Sequence, residues 1–209
     1  FNAASQTQSV TIAKATPIVT FGAAPTATYL GGNFTVSALT TNTDSSTLTY
    51  SYVSGPCTYV SGATFSSSGA GTCVVQSSGI ATTNFTVASQ TQSVTIGKAT
   101  PVITFGTVPT PTYLGGSFTV SASTTNIDSS ILAYGYVSGP CALVSGATFS
   151  SSGAGACVVQ GAGIATTNFA AASQNQSVTI NKSAQIVVFT STSPSNAVVG
   201  VASYTPSAT

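Results

Sequence analysis

Apolar and polar residues alternate with a period of two along most of the chain. Phe34, Val36 and Ala38 stand on one side of FTVSA, Leu48, Tyr50 and Tyr52 on one side of LTYSY, and Val94 and Ile96 on one side of SVTI. A period of two puts such side chains on one face of a strand, so they are expected to face a core while Ser and Thr face outward. The segments predicted as strands are Pro17–Phe21, Asn33–Ala38, Thr47–Val53, Cys57–Val60, Ala63–Ser66, Thr72–Gln76 and Gln90–Ile96. Between them stand Gly31-Gly32, Ser54-Gly55-Pro56, Ser61-Gly62 and Ser68-Gly69, which supply positive or pre-set φ for turns. Apolar residues at helical spacing are missing over any useful length. Short strands punctuated every 8 to 12 or so residues describe an all-β chain.

The pattern then repeats. SGPCTYVSGATFSSSGAGTCVVQ from Ser54 returns as SGPCALVSGATFSSSGAGACVVQ from Ser138, an offset of 84 residues. The offset divides the chain into residues 1–13, the last strand of a preceding repeat, a first module at 14–97, a second at 98–181, and the opening strands of a divergent third at 182–209. The first segment, FNAASQTQSVTIA, matches FTVASQTQSVTIG from Phe85 and FAAASQNQSVTIN from Phe169. In the last, Phe189 stands where Phe21 and Phe105 stand. Repeats of this kind govern the reading of a whole fold. About seven strands in each module describe an immunoglobulin-like sandwich. The link Gly97-Lys98-Ala99-Thr100, closed by Pro101, is too short to loop far, so the sandwiches are expected to stack end to end as a rod. A chain beginning and ending in mid-repeat reads as a piece of a longer secreted protein, its two unpaired ends continuing into further repeats.

Each module holds two cysteines, Cys57 and Cys73 in the first, Cys141 and Cys157 in the second. Four cysteines allow three pairings; a strict repeat favours Cys57 with Cys73 and Cys141 with Cys157. The competing readings are free buried thiols or a metal site, and no histidine or closely spaced Cys pair is present to build one. Closing such a loop contributes about 3 kcal/mol in the chain-entropy picture, useful to a module whose core is small. Paired cysteines point to an oxidising compartment, outside the cell or on its surface.

Charge is nearly absent. Lys14, Lys98 and Lys182 stand against Asp44 and Asp128, a net of +1, with no Arg, Glu, His, Met or Trp. No basic footprint for nucleic acid exists, nor an apolar run of the roughly 18 residues a membrane helix needs. With neither His nor Glu, and one Asp per module, acid–base pairs and triads cannot be assembled within a module, so no enzyme and no cofactor is expected. Gly69-Ala70-Gly71 and Gly161-Ala162-Gly163 lack the third glycine and the lysine of a phosphate loop and read as turns between strands. A Lys–Asn isopeptide bond assisted by a carboxylate has its residue types in Lys14, Asp44 and Asn84 and in Lys98, Asp128 and Asn168, but lysines in a linker read more simply as solvated charges. Sequons begin at Asn33, Asn84, Asn175 and Asn181, none kept in both modules.

The KATP opening, the YLGGxFTV strand, the paired cysteines and the closing QSVTI resemble tandem bacterial immunoglobulin-like repeats of large surface or secreted proteins, over nearly the whole chain. That resemblance implies a stalk, a cell-surface fibre or another extracellular scaffold. The near-absence of acidic residues leaves a calcium-rigidified linker without ligands. The expected function is an extracellular structural rod or filament, self-associating because a Ser/Thr/Ala/Gly surface at almost zero charge lacks mutual repulsion. The alternative is a set of adhesin repeats holding a surface glycan or a host or substratum ligand, with Tyr29, Tyr59 and Tyr113 as loop-side contacts.

Overall fold

The computed structural model describes residues 1, 3–200 and 203–209. Among them every regular element is a strand. The first module carries β1 (Val19–Phe21), β2 (Ala27–Thr28), β3 (Asn33–Thr35), β4 (Ala38–Thr40), β5 (Leu48–Ser54), β6 (Cys57–Ser61), β7 (Thr64–Ser67), β8 (Gly71–Gly79) and β9 (Ser89–Gly97). The second carries β10 (Ile103–Phe105), β11 (Ser117–Thr119), β12 (Ala122–Thr124), β13 (Ala133–Ser138), β14 (Cys141–Ser145), β15 (Thr148–Ser151), β16 (Gly155–Gly163) and β17 (Ala172–Ile180).

In the first module one sheet runs β2-β9-β8-β5 and the other β3-β7-β6, with β1-β4 as a separate pair. The second repeats this as β13-β16-β17, β11-β15-β14 and β10-β12. The long pair β8–β9 holds Gly71 opposite Ile96 through Ser78 opposite Ser89, and β2 lies parallel to the end of β9 at Ile96 and Gly97. Inward-facing residues of both sheets meet as one core of Phe34, Val36, Phe65, Val75, Val94 and Ile96, with Phe118, Val120, Phe149, Val159, Val178 and Ile180 as its counterpart. Phe34 and Phe65 stack at 5.9 Å between ring centroids, as do Phe118 and Phe149 at 5.8 Å. Each module is thus a two-layer, immunoglobulin-like β-sandwich.

A disulfide joins Cys57 on β6 to Cys73 on β8, Cα atoms 5.7 Å apart, and so bridges the two sheets through the core. Cys141 on β14 and Cys157 on β16 are joined in the same way at 5.8 Å. The corner before β6 needs glycine. Gly55 has φ +94°, and a Cβ there would fall 2.0 Å from the Thr72 carbonyl oxygen; Gly139 repeats both features against Ala156.

Three expectations need correction. The predicted strand Asn33–Ala38 is two strands: Phe34 pairs with Phe65, whereas Ala38 pairs with Phe21 in the separate β1-β4 pair. The alternation is unbroken because the chain crosses from one layer to another at Val36 and Ser37 while still facing the core. Tyr52 is not enclosed by the core: it pairs in register with buried Val75, but near the end of the edge strand β5 it is 45 % exposed, its hydroxyl donating to the Gly55 carbonyl at 3.0 Å. Finally, Gly161–Gly163 is the end of β16 and not a turn, because Gly163 continues the long antiparallel strand that Gly79 ends in the first module.

By its contacts the chain divides into two compact units. The first is Phe1–Thr104 with Ala122–Leu132 and Ala162–Gln174; the second is Phe105–Ser121, Ala133–Gly161 and Asn175–Thr209. The first therefore contains the whole first sandwich together with the turns of the second module around Asp128 and Asn168. In the second unit, Phe189 bridges Ala208 in antiparallel fashion, and Val188 and Thr209 exchange backbone hydrogen bonds of 2.9 and 3.0 Å. Described residues of the 1–13 segment form no strand and are exposed.

Candidate functional site

Four of the five charged side chains come together in two copies of one polar cluster, at the sandwich end where β4 and β8 run into loops. Sequence TTNTDSS after β4 folds as an Asx turn. Buried Asn42 accepts from the backbone N–H of Asp44 at 3.0 Å and of Ser45 at 3.3 Å, and its side-chain amide donates to the Ile80 carbonyl at 3.3 Å. That turn aims the Asp44 carboxylate at Asn84. Its two oxygens accept the Asn84 backbone N–H at 3.0 Å and the Asn84 side-chain amide at 3.2 Å. Lys14 completes the cluster by donating to the Thr82 carbonyl at 2.6 Å. Next to it Ala15 bridges Phe85 in parallel, tying the entry of the module to this end.

The second module rebuilds the cluster. Asn126 holds the N–H groups of Asp128 and Ser129, Asp128 accepts both amides of Asn168, Lys98 donates to the Thr166 carbonyl, and Ala99 bridges Phe169. Each carboxyl is held below its ordinary value of 3.8, chiefly by the backbone hydrogen bond from the asparagine facing it. The side-chain amide of that asparagine and the threonine add to the effect, the lysine contributes a smaller attraction, and partial loss of water acts the other way.

The residues weighed for an isopeptide bond thus share one place, held by hydrogen bonds. Each asparagine amide is committed to a carboxylate and each lysine donates to a threonine carbonyl. Forming the bond would need a protonated carboxyl to pass its proton to departing ammonia, whereas these carboxyls are exposed and biased toward the ionised form. The cluster is a non-covalent hook. Asn84 of the Asn84-Phe85-Thr86 sequon also offers no idle amide, since its nitrogen is the one bonded to Asp44.

Asn42, Thr82, Asn126 and Thr166 were not singled out from the sequence. Their signal was the recurrence of TTNxDSS and ATTNF in both modules. Tyr29, weighed as a loop contact, is half-buried with its ring edge-to-face on Phe169 at 5.6 Å. Tyr113 is 37 % exposed, and Tyr59, 49 % exposed, meets Phe65 edge-to-face at 5.7 Å. No group of three or more His, Cys, Asp or Glu stands together as a metal site among the described residues, and no helix there is long and apolar enough to cross a membrane.

No family model and no curated protein matches the chain. Among solved structures it is similar to Sidekick-1 immunoglobulin domains 1–5, at 10 % identity over 87 % of this chain and 42 % of that one, TM-score 0.40. It is also similar to Drosophila N-cadherin EC1–3, at 12 % identity over 78 % of this chain and 63 % of that one, TM-score 0.29. The chain spans less than two thirds of either. With TM-scores under 0.5, neither likeness bears on what this chain binds or builds.

Proposed function

We propose that this chain is part of an extracellular structural protein, a rod or filament of disulfide-stapled immunoglobulin-like modules that associates with itself. The observation that carries this reading is the recurrence at 84 residues of a complete mechanical set: a cross-sheet disulfide, an Asp–Asn hook and a short connector bonded to the next sandwich end. Such recurrence serves an array. The modules are 14–97 and 98–181, with 1–13 and 182–209 belonging to neighbouring repeats. The Phe189–Ala208 bridge, which echoes Phe21 opposite Ala38, supports the second assignment. Pairing of Cys57 with Cys73 and of Cys141 with Cys157 supplies the covalent hold and supports a location outside the cytosol, at a cell surface or secreted. Sedimentation over a range of concentrations tests self-association: the weight-average mass should rise with concentration, and one sharp monomeric boundary at high concentration would defeat it.

A second reading, adhesin repeats that hold a glycan or another surface, is favoured by one feature. Tyr52, Val53, Tyr59 and Val60 are exposed around the β5–β6 corner, as are Tyr136, Val137, Leu143 and Val144 in the second module. Binding of the chain to a glycan array, abolished by Tyr59→Ser, would move the assignment toward adhesion.

A further inference from the structure

The two copies of the hook are alike in sequence but not in surroundings. Among the described residues, Asn168 does one thing that Asn84 does not: its Oδ1 accepts the backbone N–H of Ala70, in the Gly69-Ala70-Gly71 turn of the first sandwich, at 2.9 Å. Gly69 makes room for this approach, since a Cβ there would lie 3.0 Å from the same oxygen. One residue on, Phe169 takes the edge of Tyr29 and is only 2 % exposed, whereas Phe85 is half-buried and has no such ring against it among the described residues. Thr28 at the end of β2, with Tyr29 and Leu30 of the Tyr-Leu-Gly-Gly loop, lines a cleft with Lys98, Thr125 and Phe169. All these residues belong to the first compact unit.

We infer that the Asn-Phe step of each module is a docking face for the preceding module, engaged at Asn168–Phe169 and open at Asn84–Phe85. Its occupant is a module of this same kind, presenting a tyrosine from its Tyr-Leu-Gly-Gly loop and an N–H from its Gly-Ala-Gly turn. The inference rests on the array reading above and names the contact that would set its joints. Asp128 is a positioning residue here. By taking the Asn168 side-chain NH2, it leaves Oδ1 as the end turned to Ala70; a flipped amide would set oxygen against carboxylate and NH2 against N–H. The mating half recurs in the second unit, where Tyr113, Leu114 and Lys182, the counterparts of Tyr29, Leu30 and Lys98, line a cleft together with Ala154 of the Gly-Ala-Gly turn.

The test is amide hydrogen exchange on the full chain, reading Ala70 against Val75 of the same sandwich and Val159 of the next. Asn168→Ala and Asp128→Ala should each speed exchange at Ala70 about tenfold relative to Val75, the loss of one hydrogen bond. Asp44→Ala removes the twin hook and should leave that ratio unchanged. Should Val159 report that the second module has unfolded in the first two variants, Tyr29→Ala keeps both hooks and must still raise the ratio while shifting the Phe169 ring resonances. An unchanged ratio in Asn168→Ala or Tyr29→Ala overturns the proposal, as does an equal rise in Asp44→Ala. Self-association is measured separately by sedimentation, so the joint can fail while the array reading stands, and the reverse.

Discussion

Asp128 accepts two hydrogen bonds from one residue, the backbone N–H of Asn168 at 2.9 Å and its side-chain amide at 3.2 Å, across 40 residues of sequence. Asp44 does the same with Asn84. In a chain with two acidic side chains, both are used to close the same end of a sandwich.

That use predicts how stability varies with pH. Both carboxyls titrate below their ordinary value when folded, so their contribution is complete above about pH 5 and is lost as pH falls through 4 and below. No other acidic side chain exists to add to this acid limb. Thermal melts should be flat from about pH 5 to 8 and drop in acid, and Asp44→Asn with Asp128→Asn should flatten most of the drop. An acid limb of undiminished depth in the double variant would contradict the hook.

Reduction should loosen each module. The disulfides cross from β6 to β8 and from β14 to β16, tying together layers that otherwise meet only through side chains. Cys57→Ser with Cys73→Ser should cost about 3 kcal/mol by chain entropy. Denaturant midpoints under reducing and non-reducing conditions check this, and intact mass should show two hydrogens lost per pair and no loss of ammonia.

Phe65 and Phe149 are fully buried where β3, β6 and β7, or β11, β14 and β15, meet the opposite sheet. Replacing Phe65 with Ala should cost about 3–5 kcal/mol. Against the roughly 5–15 kcal/mol that holds a domain together, that is enough to bring the first module near unfolding at body temperature. Exchange at Val75 and Val159, read separately, would show the damage confined to one module or shared by both.

Glycines of the two hairpin corners should not be equivalent. Gly55→Ala meets both a positive φ and a carbonyl at 2.0 Å, whereas Gly62, φ +54°, has nothing within 4 Å of its added Cβ. Gly55→Ala should destabilise by well over ~1 kcal/mol, and Gly62→Ala by about that much. Equal effects would mean that the corner can shift to admit a methyl group.

The strands were legible because alternation marks a half-buried face, and β5 to β9 lie within a few residues of where the pattern put them. Alternation is blind to which sheet a strand joins, so the switch between Thr35 and Ala38 stayed hidden. It is equally blind to sheet edges: Tyr52 keeps the alternation and pairs with buried Val75, yet on the edge strand β5 it stands 45 % exposed. β2, two residues long and parallel to β9, is too short to leave a period at all. The hook was half legible: Lys14, Asp44 and Asn84 stood out by charge and chemistry, but they are 30 and 40 residues apart in sequence. Only folding shows that Asn42 aims the aspartate and that Thr82 receives the lysine. The contact of Asn168 with Ala70 has no sequence signal beyond the glycine beside it.

Electron microscopy of the unreduced protein at high concentration, with a reduced sample beside it, bears most directly on the reading as a structural array. Filaments or rods with an axial repeat on the order of 40 Å, one sandwich long, that fray when the disulfides are reduced are the predicted result. Separate particles of one chain each, unchanged in size and dispersion at every concentration, would contradict it.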